Sequence, residues 1–145
     1  KGARLQNNDS VRGDQILWLS DEHKKSEAEP FLNLIDAIKS ALNRQLFAGL
    51  SDFEGHVAIY PPGGFYVRHL DAFKDDDSRF LTILVYLNEG WQPSHGGQLR
   101  LFTSESSHID VEPRSGTVVL FRSRDFEHEV LPSANERRSL TGWFK

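Results

Sequence analysis

The chain has 145 residues, which suits one domain. Hydrophobic residues make up 38% and charged residues 26%, the balance of a globular domain rather than a disordered tail, and no run approaches the ~18 apolar residues of a membrane span. The net charge of −4 argues against a general nucleic-acid binder, and the absence of cysteine excludes disulfides, zinc–thiolate sites and cysteine nucleophiles.

Residues 1–15 are polar, with glycines at Gly2 and Gly13. Ile16-Leu17-Trp18-Leu19 is a short apolar run that reads as a strand. A helix is predicted over 27–48. Ser26 and Glu29 have the spacing of a capping box, and Pro30 falls in the first turn, where a missing N–H costs little. Phe31, Ile35, Ile38, Leu42 and Leu46 recur every three or four residues as one apolar stripe, and Gly49 follows as a stop signal. Such a helix covers the face of something else, most simply a sheet.

Beyond Ser51 the pattern changes to short strands, predicted at 54–60, 65–71, 80–88, 98–103, 108–112, 116–122, 127–131 and 138–144. Gly63-Gly64, Asp75-Asp76-Asp77, Gly96-Gly97, Pro113 to Gly116 and Pro132 to Asn135 punctuate them. No repeat or low-complexity linker divides the chain, so residues 1–145 read as a single domain. Methionine is absent, so the chain starts downstream of an initiator, and N-terminal residues are expected to be missing. The expected fold is mainly β with a flanking helix: a jelly roll, or double-stranded β-helix, buttressed by the N-terminal helix.

Six histidines are available: His23, His56, His69, His95, His108 and His128. Without cysteine, a transition-metal site must use imidazole and carboxylate. Two histidines and one carboxylate on one side of the ion form the ligand set of non-haem Fe(II) oxygenases. In a strand, His69 and Asp71 would point to the same face. The pattern is weak alone, because a polar strand face produces it too, and a second instance occurs at His108 and Asp110. His23, His56 and His95 read as surface or core histidines, and Trp91 as packing within the 88–97 loop.

The C-terminal segment adds to this. Arg137, Ser139, Thr141 and Trp143 alternate along a predicted strand that carries no acidic residue. If that face points inward, the guanidinium is buried, at a cost of several kcal/mol by order of magnitude unless an anion meets it. A dicarboxylate cosubstrate would do so through a bidentate fork, with a hydroxyl of Ser139 or Thr141 as a further donor. The alternative is an ordinary surface strand with two arginines.

Five ordered blocks extend the pattern: residues 60–71 (YPPGGFYVRHLD), 84–88 (LVYLN), 96–102 (GGQLRLF), 128–130 (HEV) and the strand from Arg137. In order and spacing they resemble the Fe(II)/2-oxoglutarate dioxygenases. Within these they resemble the prolyl-hydroxylase-domain branch, which includes the hypoxia-factor prolyl hydroxylases and their bacterial relatives. The resemblance runs from about residue 14 to 145. It implies an iron triad of His69, Asp71 and His128, which are also the catalytic centre. It implies that Arg137 pairs with the far carboxylate of 2-oxoglutarate, that the Tyr86 hydroxyl contacts the same carboxylate, and that Leu84, Thr141 and Trp143 line the cosubstrate pocket. Tyr66 and Arg79 match positions near a peptide substrate. The second H-x-D falls where the family has no ligands. The glycine loop and the Asp75-Asp76-Asp77 loop are both short for the family, and the latter's counterpart helps select substrate.

The implied activity is that of an Fe(II)-, 2-oxoglutarate- and O2-dependent prolyl 4-hydroxylase-like enzyme, with ascorbate as reductant and with succinate and CO2 as coproducts. The expected partner is a cytoplasmic protein or peptide with a target proline, such as a transcription factor, elongation factor or ribosomal protein. The expected catalytic domain is monomeric and binds neither membrane nor nucleic acid. A nucleic-acid demethylase would need a second arginine where Trp143 stands. A carboxylate at position 71 argues against the halogenase variant. Two alternatives remain: a hydroxylase of a free amino acid or small molecule, and a non-catalytic jelly-roll binding module.

Overall fold

The computed structural model describes residues 11–20, 22, 27–72 and 78–145. Nine strands and one α-helix are found among them: β1 (Gln15–Trp18), α1 (Glu29–Leu46), β2 (Phe53–Tyr60), β3 (Tyr66–His69), β4 (Leu81–Tyr86), β5 (Leu99–Phe102), β6 (His108–Val111), β7 (Val118–Arg122), β8 (His128–Val130) and β9 (Arg137–Phe144). They form a five-stranded sheet, β1-β2-β9-β4-β7, and a four-stranded sheet, β3-β8-β5-β6. Strand neighbours pair antiparallel throughout. This is the expected jelly roll, and each of the nine expected strands is present with shifted ends.

Helix α1 covers the outer face of the larger sheet. Phe31 and Ile35 are buried against Leu81, Ile83 and Phe144, with Ile38 and Leu42 packed alongside. The helix starts two residues later than expected, with Ala28 as N-cap and no side-chain cap. Ser26, and with it the capping box, lies outside the described residues. Gly49 does not supply the stop. Phe47 takes the left-handed conformation (φ 51°), and its N–H donates to the Asn43 carbonyl. The Asn43 side chain then makes two 2.7 Å bonds with the backbone of Leu50, which hold the chain as it leaves the helix. The apolar stripe ends early, since Leu46 is 66% exposed.

Strand β4 is largely apolar on both faces because both are covered. Even-numbered residues of β4 point between the sheets, where Leu84 and Tyr86 join Ala58, Tyr60, Leu99, Leu101 and Val130 in the inner core. Odd-numbered ones meet the helix. In β9 the parity is reversed: Arg137, Ser139, Thr141 and Trp143 point inward, and Phe144 faces the helix. Gly142 is required by close approach: a Cβ there would lie 2.2 Å from the Phe53 ring and 2.7 Å from the Glu54 carbonyl oxygen. The register sets a depth scale for the interior. Arg137 opposes Tyr60; Ser139 opposes Ala58 and Tyr86; Thr141 opposes His56 and Leu84; Trp143 opposes Glu54 and Thr82.

Candidate active site

His69, Asp71 and His128 converge, with ligand atoms within 4.8 Å of one another, and they are the group of this kind found among the described residues. His69 ends β3 and His128 begins β8, where the two are directly paired. The expectation that Asp71 shares the strand with His69 is corrected: β3 stops at His69, and Asp71 lies in the bend that follows. The bend is tied to β4, because the Thr82 hydroxyl donates to Asp71 Oδ2 at 2.8 Å and the Arg79 guanidinium reaches the Asp71 carbonyl at 3.3 Å. The Asp71 carboxylate oxygens lie 3.5 Å from Nε2 of both histidines.

The protonation pattern suits a divalent cation. Nδ1 of His69 lies 2.7 Å from the Val67 carbonyl, and Nδ1 of His128 lies 3.1 Å from the Phe126 carbonyl. A carbonyl only accepts, so Nδ1 carries a proton in each ring and Nε2 is the nitrogen turned toward Asp71. Burial pushes the Asp71 carboxyl up, but the interactions with His69, His128 and Thr82 outweigh it and hold the group well below the usual carboxylate range. Burial lowers His128 and keeps it neutral. Two imidazoles and one carboxylate, each oriented by a second hydrogen bond, fit Fe(II).

A cavity of about 270 Å³ runs from this triad along β9. Arg137 closes its far end, with 1% exposure. Its Nε–H donates to the Gly97 carbonyl at 2.9 Å, and the guanidinium lies 5.2 and 5.0 Å from the rings of Tyr60 and Tyr86. Nη2 and the Tyr86 hydroxyl are buried without a hydrogen-bond partner, and no carboxylate pairs with Arg137 among the described residues. Burial raises the Tyr86 phenol, and the neighbouring guanidinium opposes it. Gly97 permits this arrangement, since its φ is 72° and a Cβ would sit 3.3 Å from Arg137 Cδ. Arg137 stands at the closed end of the cavity with the unpartnered Tyr86 hydroxyl behind it, although Tyr86 is not itself on the lining, and an unmet cation there fits a carboxylate ligand such as the far end of 2-oxoglutarate.

The other expected residues fall on the same cavity. Leu84, Thr141 and Trp143 line its wall, and Ser139 Oγ lies 3.4 Å from Thr141 Oγ1. Tyr66 stacks on His69 with ring centroids 3.7 Å apart. Arg79 lies over the Trp143 ring at 3.6 Å. His108 and Asp110 stay outside, on the exposed edge strand β6, where Asp110 pairs with Arg100. Trp91 packs in its loop and donates to the Gly96 carbonyl at 3.1 Å. His23 and Asp75-Asp76-Asp77 lie outside the described residues.

Among the cavity residues that the sequence did not point to are Arg12, Trp18, His56, Tyr60 and Thr82. His56 is 3% exposed, packs against Trp18 and Trp143, and leaves Nδ1 without a partner. Burial lowers its pKa to about 4. The available signal was alternation, since His56, Ala58 and Tyr60 face Thr141, Ser139 and Arg137. Arg12 stacks on Tyr66 and pairs with buried Asp14.

Known proteins resemble this chain in sequence and fold. The profile of the 2OG-Fe(II) oxygenase superfamily matches residues 55–145. Human prolyl hydroxylase EGLN3 is 38% identical over 141 residues, covering 92% of this chain and 59% of its own length. The chain thus spans about three-fifths of that curated relative. The crystal structure of a Pseudomonas putida prolyl-4-hydroxylase superposes with a TM-score of 0.90 at 51% identity, over 97% of this chain and 76% of the other. A Trichoplax adhaerens prolyl hydroxylase, solved with a peptide fragment of the hypoxia-inducible factor oxygen degradation domain, gives 0.82 at 33% identity, over 95% and 65%. With the triad and the arginine-capped cavity in the matched segment, the chain belongs to the 2OG-Fe(II) oxygenase superfamily.

Proposed function

We propose that the chain is the catalytic domain of a peptidyl-prolyl hydroxylase that uses Fe(II), 2-oxoglutarate and O2 and releases succinate and CO2. The observation that carries the reading is the buried Arg137, without a carboxylate, at one end of a cavity whose other end is the His69–Asp71–His128 triad. Bound iron would supply the oxidising chemistry, coupling cosubstrate decarboxylation to hydroxylation. The protein's contribution is positional. His69, Asp71 and His128 would hold the metal on one side, their orientation fixed by the carbonyls of Val67 and Phe126 and by Thr82. Arg137 and Tyr86 would anchor the far carboxylate, with Thr141, Leu84 and Trp143 walling the path between.

A peptide substrate is supported by the Trichoplax adhaerens complex and by the prolyl hydroxylase relatives. Tyr66 and Arg79, at the metal end, are the residues we assign to it. Among the described residues no helix is long and apolar enough to cross a membrane. We take the target to be a cytoplasmic protein, ascorbate to serve as reductant, and residues 1–145 to act as one monomeric catalytic domain.

Anaerobic titration with Fe(II) and 2-oxoglutarate tests the cofactor pair. A weak visible charge-transfer band that His128→Ala removes is the expected result. Proline-containing peptides then report the substrate by mass gain and succinate yield. No band from folded, saturated protein would overturn the oxygenase reading in favour of a binding module. Hydroxylation of free proline but not of peptides would overturn the peptide assignment.

A further inference from the structure

The inner face of β2 carries Glu54, His56, Ala58 and Tyr60. Three of these line the cavity, whereas Glu54 does not touch it, and nothing in the chemistry above uses it. A half-buried carboxylate on an inward face is uncommon without a task. Its two oxygens are both engaged: Oε1 accepts from Arg79 Nε at 2.7 Å and Oε2 from Lys145 Nζ at 2.9 Å. Burial pushes its carboxyl up, but these two cations outweigh that and hold it below the usual range, so the charge is kept.

What Glu54 grips is a guanidinium that also touches Trp143 and the bend after β3. Arg79 lies over the ring of Trp143, the residue directly opposite Glu54 across the β2–β9 ladder. Arg79 also donates to the carbonyl of Asp71, in the bend that carries the metal-ligand carboxylate. One guanidinium therefore joins three separate segments: β2, the cavity wall on β9, and the bend after β3. Its direction is set by the Nε–Oε1 bond, because a charge-assisted bond to Nε fixes the plane of the fork.

We propose that Glu54 is a positioning residue for the site: it orients Arg79, and through Arg79 both the Trp143 wall and the turn that carries Asp71. Lys145 keeps Glu54 ionised and turned inward. This assignment rests on the oxygenase reading for its kinetic consequence but not for its structural one. Arg79 then serves first as a brace, and its reach toward substrate depends on Glu54.

The test uses Glu54→Gln, Glu54→Asp, Arg79→Ala and the double variant Glu54→Gln/Arg79→Ala. In metal-free protein, subtracting the near-UV circular dichroism of Trp143→Phe isolates the Trp143 signal. Glu54→Gln and Arg79→Ala should each remove most of it, the double variant should remove no more, and Glu54→Asp, which keeps the charge, should retain part. In 2-oxoglutarate turnover without peptide, Glu54→Gln should lower kcat about tenfold while the KM for 2-oxoglutarate stays within about twofold, as expected of a group that orients a ligand-bearing segment away from the Arg137 anchor. A wild-type Trp143 signal in Glu54→Gln, even with a lower melting temperature, would overturn the proposal and leave a stabilising ion pair. Independent, multiplying effects of the two substitutions would overturn it as well. If wild-type protein made no succinate, the oxygenase reading would fail while the dichroism still decided the role of Glu54.

Discussion

Arg137→Met separates what the guanidinium does for the fold from what it does for a ligand. Burying a cation without a partner costs several kcal/mol. Here the cost is partly offset by a bond from Nε to the Gly97 carbonyl, at ~1.5–3 kcal/mol for a charged donor, and by two aromatic faces at ~0.5–1 kcal/mol each. The sum lies near break-even, and methionine fills a similar volume without a charge. The metal-free variant should therefore be no less stable than wild type, with a gain of up to about 2 kcal/mol. Ligand binding should behave oppositely. Losing one partner of a buried ion pair costs ~3–5 kcal/mol, which weakens 2-oxoglutarate binding by about two to nearly four powers of ten. With redox-silent Mn(II), cosubstrate at about 100 times the wild-type Kd adds ~2.7 kcal/mol of stability, a melting shift of roughly 8–10 °C for a chain of this size. The variant should shift by about 1 °C or less under the same conditions. Differential scanning fluorimetry reads both quantities. A ligand-free variant that melts several degrees lower would refute the account of an unmet cation. A retained shift would refute the role of Arg137 at the carboxylate.

Three further outcomes are expected. Thr82→Val removes the hydroxyl that donates to Asp71 Oδ2 and also meets Ser123 at 2.9 Å, so Fe(II) affinity should fall about 10–100-fold with the fold retained; unchanged affinity in an Fe(II) titration would count against this second contact. Burial depresses His56 to about 4 against an unfolded value of 6.5, so the unfolded chain binds more protons, and the contribution of His56 is complete above pH 6.5 and lost as pH falls through 4. At pH 5 the loss is about 2 kcal/mol, and His56→Asn should flatten that part of a melting-temperature profile in metal-free protein; an unchanged profile would show that the imidazole is not the titrating group. Gly142→Ala would place a Cβ against the Phe53 ring and the Glu54 carbonyl, and overpacking of this kind costs ~1–3 kcal/mol or more, so a melting temperature within a degree of wild type would contradict the packing described.

The strands were legible because turn residues bracket each apolar run, and the inner faces followed from alternation once β9 was read with Arg137 inward. The triad and Arg137 were legible from spacing together with the ordered resemblance. His56 and Tyr60 were not, because a histidine and a tyrosine in a strand look the same whether they meet a core or a cavity, and only pairing with β9 decides it. Glu54 was hidden for a related reason: its partners Arg79 and Lys145 lie 25 and 91 residues away, and no local pattern joins them. The helix end was misplaced because Asn43 holds Leu50 by side-chain bonds, which lets Phe47 adopt the conformation usually left to glycine. Asp71 was expected in a strand, but Thr82 and Arg79 draw it out of the ladder toward β4.

Strand β9 acts as a ruler. Arg137 stands at one mark and Thr141, level with His56 and Leu84, at another four residues along, about 13 Å of extended backbone. Both marks belong to the central strand of a five-stranded sheet, with hydrogen-bonded neighbours on either side, so the interval cannot stretch or shrink without breaking ladders. The depth at which Arg137 stands is thus fixed by main chain. The triad belongs to the facing sheet and the bend after β3, so the other end of a bound diacid would be set by how the two sheets stand against each other.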